Sequence, residues 1–360
     1  MACATQFHFH APIKLLESSS TITPFHHFHI NMLSTTIRTI CGDIGGTKTR
    51  LAIIGVDGSR LQIEREHTYA SRDFAMFEEL LDEFIHGSDT PARAAFGIAG
   101  PVQGRVVQTT NLPWHIDADA LQAKFGFQYC ALLNDLEATA AGLPALGNND
   151  LLTLHAGAPN ASGNQAVIAA GTGLGEAGLF WDRRRYHPFP TEGGHASFSP
   201  GNDMEIALLK HLLQRFGHVS WERIVSGPGL VNLHEFLCQY HGAPLPSWLQ
   251  NEMRHGDAAA AIAEAALNER DELCVDALDW FVRLYGAEAG NLALKVMAQG
   301  GLYLGGGIAP KILPRLQNGG FLDNFFSKGR MRTLLERIPV NVILNDRVAL
   351  YGPALHISKA

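Results

Sequence analysis

Gly42-Asp43-Ile44-Gly45-Gly46-Thr47-Lys48-Thr49-Arg50 is the stretch on which the fold turns. A short apolar run from Thr39 leads into it and a second, Arg50 to Val56, leads out, so it reads as the loop of a β-hairpin. Asp57-Gly58 then turns the chain into a third strand through Leu61 and Ile63. Consecutive glycines let backbone N–H groups approach an anion with no Cβ in the way, which makes a cradle for phosphate. Asp43, at the strand end, is placed to hold Mg²⁺ through water, because that ion gives up its waters reluctantly. A plain hairpin turn is the alternative, but it needs fewer glycines and no carboxylate beside them.

Working outward, Phe74, Phe77, Leu81, Phe84 and Ile85 recur at helical spacing, followed by strand 94–98, helix 118–125 and strand 130–133. The order is βββαβαβ. The second half opens the same way, with a small apolar strand 166–170, a glycine loop Gly171-Thr172-Gly173-Leu174-Gly175, a strand 178–181 and a candidate third strand 184–189. Helices follow at 203–216, 230–240 and 271–297. Then come a strand 302–304 running into Gly305-Gly306-Gly307, a strand 340–344 and a helix from Val348. Two similar halves, each opening with a glycine-looped hairpin, imply a central cleft with one loop on each side, an arrangement suited to a phosphate chain.

Two familiar nucleotide motifs fail on context. Lys48-Thr49 would need a glycine at position 47 to complete a Walker loop, and Thr47 stands there. Gly173 to Gly178 with Gly171 contains G-x-G-x-x-G, but a dinucleotide fold requires a helix next, whereas 176–182 reads as another strand.

Leu132-Leu133-Asn134-Asp135 is an apolar strand ending in two polar residues ahead of a helix through Glu137 to Ala141. Asp135 is either that helix's N-cap or a carboxylate delivered into the cleft, where it can take a proton from a hydroxyl attacking a γ-phosphate. Thr191-Glu192-Gly193-Gly194-His195 sets a carboxylate and an imidazole three apart around a glycine pair, a spacing able to bind vicinal hydroxyls. Zinc at His195 is disfavoured, since no cysteine or second histidine lies nearby at ligand spacing. Glu222 in Trp221-Glu222-Arg223 is uninformative by itself.

Composition narrows the function classes. At 360 residues the chain exceeds a comfortable single domain, and 46% hydrophobic with 18% charged residues supports a sizeable core. A net charge of −7 gives nucleic acid no diffuse positive field. No apolar run is long enough to span a membrane. Cys3, Cys41, Cys130, Cys238 and Cys274 are scattered singly and read as buried thiols of a reducing compartment. Residues 1 to 36, rich in histidine and serine, lack both the apolar core of a secretory signal and the arginines of a transit peptide. They read as a disordered extension, or as sequence upstream of a true start at Met32.

Taken together, these residues resemble the bacterial glucokinase family, within the hexokinase and actin superfamily of ATPases. The matching stretches are 42–50, Asn111 to Trp114, 132–138, 169–175, 191–198, 217–230 and 305–310, in the family's order. The resemblance implies an α/β two-domain actin-like (ribonuclease H-like) fold closing over glucose. Residues 37–145, completed by 338–360, would form the small α/β domain, and 146–337 the large α+β domain. It implies phosphorylation of the 6-hydroxyl of glucose by ATP with Mg²⁺ and no covalent phospho-enzyme. Asp135 would be the general base, with Asn134, Asp135, Glu192, His195 and Glu222 on the sugar. Gly42, Asp43, Ile44, Gly45, Gly46 and Thr47 would bind the nucleotide. So would Gly171, Thr172, Gly173 and Gly175 at the β/γ-phosphates, and Gly306 beneath the adenosine. Family likeness also implies a homodimer, in the cytoplasm.

The chain departs at Lys48, where the family often has Asn and where the lysine offers an extra phosphate contact, and at Asn345-Asp346-Arg347. A related repressor and kinase family with a cysteine-rich zinc site is disfavoured, because no cysteine cluster follows His195. Two other functions stay open at this point: a kinase for another hexose, and a non-catalytic sugar or nucleotide sensor. The base and both glycine loops argue against the sensor.

Overall fold

The computed structural model describes residues 36–358, leaving aside 59, 88, 110 and 111. The expectation for the N-terminal extension therefore lies outside the described residues, as does Asn111 of the second matching stretch.

Strands β1 (Ile37–Ile44), β2 (Lys48–Asp57) and β3 (Arg60–Ala70) form an antiparallel meander. Its inner strands carry the β-branched runs that favour a pleated, buried surface. Helix α1 (Phe77–Ile85) turns Phe77, Leu80, Leu81 and Phe84 inward. Strand β4 (Arg93–Ile98) then pairs parallel with β1. Helix α2 (Ala118–Phe125), capped by the Asp117 carboxylate, leads to β5 (Tyr129–Asn134), parallel with β4. The sheet order is β3-β2-β1-β4-β5, which is the predicted βββαβαβ half. A small sheet of strands 102–103, 106–108 and 115–117 was not foreseen. Two or three residues are too few to show an alternation.

Helix α3 (Asp135–Gly142) follows β5 and crosses to the second half. There β6 (Leu151–His155), β7 (Gln165–Ala170), β8 (Leu174–Trp181), β9 (Tyr186–Thr191), β10 (Gly301–Gly305) and β11 (Val340–Ile343) make a sheet ordered β9-β8-β7-β10-β11-β6. Leaving aside the extra edge strand β6, this repeats the first half strand for strand, with β7 to β9 antiparallel and β10 and β11 parallel. The duplicated halves are therefore real. The crossover between β9 and β10 carries the helical bulk, including α4 (Gly227–His241) and the 25-residue α5 (Glu272–Val296). Two further helices there, 247–255 and 258–267, were not predicted from the sequence.

The C-terminal segment 338–360, expected to complete the small domain, divides between the halves instead. β11 joins the second sheet, where β10 offers it an unpaired edge, while α6 (Val348–Ser358) packs on β1, β2 and β4 of the first. Arg50 pairs with Asp346 at 2.9 Å and Arg347 with Glu66 at 2.9 Å, so the unusual Asn345-Asp346-Arg347 step clamps the C-terminal turn onto β2 and β3. Where α6 crosses α3, a Cβ on Gly352 would lie 1.7 Å from the Ala138 carbonyl oxygen, so only glycine permits this approach. No helix of the described residues is long and apolar enough to cross a membrane.

Candidate active site

Asp135 stands where β5 becomes α3. The N-cap of α3 is Asn134, not Asp135: its Oδ1 accepts from the N–H groups of Leu136 (3.0 Å) and Glu137 (3.4 Å). Asn134 Nδ2 donates to the Gly100 carbonyl at 3.2 Å, leaving one amide hydrogen for a ligand. With capping done by its neighbour, Asp135 projects from the first turn with one oxygen on the Leu136 N–H at 2.8 Å. Burial pushes its pKa up from 3.8 to about 6, and the charges of Asp43 and Glu192 add to the rise. Three carboxylates expected to serve the cleft are thus within electrostatic reach of one another.

The first glycine turn is tighter than the sequence suggested. β1 runs through Ile44 and β2 begins at Lys48, so the turn proper is 45–47, closed by the Gly45 N–H on the Lys48 carbonyl at 3.0 Å. Gly42, Asp43 and Ile44 are strand residues. Gly42 has a packing reason to be glycine, since a Cβ there would lie 2.7 Å from Phe96 and 2.8 Å from Leu51. Burial raises the pKa of Asp43, with Arg50 opposing and Asp346 adding to the rise. Ser71 steadies the turn from behind, its hydroxyl donating to the Gly45 carbonyl at 2.8 Å while its N–H donates to the Thr47 carbonyl at 3.0 Å. The sequence held no signal for Ser71, which lies far along the chain.

The second loop shortens likewise to 171–173, since Leu174 and Gly175 open β8. The Gly171 N–H bonds the Gly173 carbonyl, and the Gly171 carbonyl accepts from the Gly227 N–H at the start of α4, both at 2.8 Å. Gly306 (φ +80°) lies against the end of β7, where a Cβ would come 2.5 Å from the Ala170 carbonyl. Nothing lies within 4 Å of a Cβ built on Gly171 or Gly307, so both face open space beside these turns.

Two parts of the predicted sugar set, Glu222 and the turn carrying Glu192 and His195, meet at Leu174. Glu222 accepts from the Leu174 N–H at 3.1 Å. Gly194 approaches the Leu174 carbonyl so closely that a Cβ would meet it at 2.0 Å. The Trp221 N–H bonds the Ala196 carbonyl at 3.0 Å, tying the Glu222 turn to the Glu192 turn. Glu192 and His195 stand 3.9 Å apart with side chains 64% and 61% exposed, ready for a ligand. Across the cleft, Gly175 leaves room for Leu136 of α3, whose Cδ2 would lie 2.2 Å from a Cβ. Leu136, the residue after Asp135, thus packs on Gly175 at the start of β8.

This arrangement has known counterparts. The glucokinase family model matches residues 40–360, nearly the whole described chain. The chain belongs to the glucokinase family. A glucokinase of Nostoc punctiforme is 43% identical over 332 residues, covering 88% of this chain and 97% of the relative. One of Synechocystis is 40% identical over 344 residues, at 88% and 96% coverage. The crystal structure of a glucokinase from an Antarctic psychrotroph superposes with a TM-score of 0.78 at 32% identity, covering 90% of this chain and 99% of that one. A Streptomyces griseus glucokinase crystallised with glucose and AMPPNP shares the fold alone, at a TM-score of 0.59 and 21% identity. As a member of the family, the chain is a transferase that phosphorylates glucose with ATP.

Proposed function

We propose that the chain transfers the γ-phosphoryl group of ATP to the 6-hydroxyl of glucose, with Asp135 as general base. The observation that carries this is Asp135 itself: a carboxyl at a rigid strand end, one residue before the Leu136 that packs on Gly175 of β8, with its pKa raised to about 6 by burial. A base poised near the working pH both stays ionised and accepts a proton effectively. Asn134, Glu192, His195 and Glu222 would orient the sugar, and holding the hydroxyl in line with the phosphorus would supply much of the acceleration.

Mg²⁺ fits the residues present. Asp43 raises the proton affinity of Asp135, an excess of negative charge that a hard cation with oxygen ligands relieves. Asp43 would hold it through water, and the ion would neutralise charge on the phosphate chain. The turns 45–47 and 171–173 would hold the phosphates, Lys48 adding a contact, with Gly306 beneath the adenosine. Residues 37–145 with the C-terminal helix, and 146–337, would close as two domains over the sugar and exclude water. A cytoplasmic homodimer is the setting that the family likeness supports.

Steady-state phosphorylation with Mg-ATP, read through linked NADPH formation, tests the reading, with fructose, mannose and N-acetylglucosamine as comparators. Turnover of glucose alone is expected. Preference for another sugar would move the specificity, and binding without turnover of any sugar would sink the assignment of Asp135.

A further inference from the structure

Directly behind the Thr191–His195 turn lies a second pair of carboxyls that the reaction does not use. Glu176, on β8, is 1% exposed, and Glu288, on α5, is fully buried. Glu288 accepts from Asn291 Nδ2 at 2.7 Å and Lys295 Nζ at 3.1 Å. Asn291 in turn accepts from Lys328 Nζ at 2.7 Å, which also donates to the Ala287 carbonyl. Among the described residues Glu176 has no such donors, and its Oε1 is without a hydrogen-bond partner.

An ionised carboxylate buried without a donor and facing a second carboxylate is strongly disfavoured. One proton removes the conflict, because a neutral Glu176 can donate to Glu288, whose own charge is balanced by Lys295. The other groups nearby do not supply that donor. The Tyr285 hydroxyl is committed to the Ile168 carbonyl at 3.1 Å, and Lys328 is held by Asn291 and Ala287.

Glu176 is also bound to the turn that carries Glu192 and His195. It is paired with Thr191 across the sheet, and its backbone carbonyl accepts the Thr191 hydroxyl at 3.1 Å. Its Oε2 occupies the space a Cβ on Gly193 would need, at 1.9 Å. The Thr191 hydroxyl accepts from the Gly193 N–H at 3.2 Å, completing the link. We propose that Glu176 and Glu288 share one proton and act as positioning residues that hold the Thr191–His195 turn in its sugar-binding shape. The inference rests on the reading that Glu192 and His195 contact the sugar.

The pKa of Glu176 is raised to about 8, by burial first and then by Glu288, so the pair loses its proton between pH 7 and pH 9. If only the protonated pair binds sugar, the glucose Kd of the parent rises about tenfold between pH 7 and pH 9, following the competent fraction. Calorimetric titration of glucose without nucleotide reads this directly. Glu176→Gln, a neutral isostere that still donates to Glu288, is expected to keep the parental Kd at pH 7, abolish the rise, and leave kcat at pH 7 unchanged. Infrared spectroscopy supplies an independent readout: the parent shows the carbonyl stretch of a protonated carboxyl at pH 7, and Glu176→Gln lacks it. Absence of that band, or the same rise of Kd in parent and variant, overturns the proposal. A parent that binds glucose tightly but with a flat profile overturns the positioning role alone. A parent that binds no glucose overturns it together with the glucose reading.

Discussion

Replacing Asp135 by Asn separates what this residue does for catalysis from what it costs the fold. The folded state holds the carboxyl at about 6 instead of 3.8, so its ionised form is disfavoured on folding. Above pH 6 the whole penalty applies, and that displacement corresponds to about 3 kcal/mol. As pH falls from 6 toward 3.8 the folded state takes up its proton before the unfolded chain does, and the penalty fades. Asparagine is neutral at every pH. Asp135→Asn is therefore expected to stabilise the protein by about 1–3 kcal/mol at pH 7, the lower bound allowing for the lost bond to the Leu136 N–H, and to give almost nothing near pH 4. Urea midpoints by tryptophan fluorescence at both pH values measure this. The same variant should lose about 10²–10⁴-fold in kcat while still binding glucose. A gain that is equal at pH 4 and pH 7, or no gain at either, would refute the electrostatic account. Near-normal turnover would refute the base.

Other substitutions probe the geometry around this group. With Asp135 titrating at about 6 in the free protein and active when ionised, kcat/KM should fall about tenfold between pH 7 and pH 5, a limb visible in a pH–rate profile. Gly194→Ala must displace the Leu174 carbonyl and should raise the glucose KM and destabilise by about 1–3 kcal/mol, while Gly307→Ala, with open space around it, should be near neutral in the same thermal and kinetic assays. Ser71→Ala removes the hydroxyl that holds the Gly45 carbonyl and should raise the ATP KM with a loss of about 1 kcal/mol by denaturation. Gly352→Ala pushes the C-terminal helix off α3 and should lower both Tm and kcat, because Asp135 rides on α3.

Much of this protein is determined by local pattern. Alternation and glycine punctuation in 37–70 and 166–191 specify two meanders, because strand period and turn chemistry are properties of neighbouring residues. Asp43, Asp135 and Glu192 are legible for the same reason, each standing beside a glycine turn or at a strand end, whereas Glu222 enters only through the family resemblance. Local pattern does not show constraints that depend on what lies opposite. Phe96 and Leu51 press on Gly42, and Asn134 takes the cap that Asp135 had been offered. Tertiary structure alone decided the rest. It brought Ser71 behind the first turn, set Gly352 against Ala138, placed the strand 340–343 in the second sheet, and buried Glu176 against Glu288. Those contacts join residues remote along the chain, and their energies arise from burial and close approach, which exist only once the two halves have folded around α3.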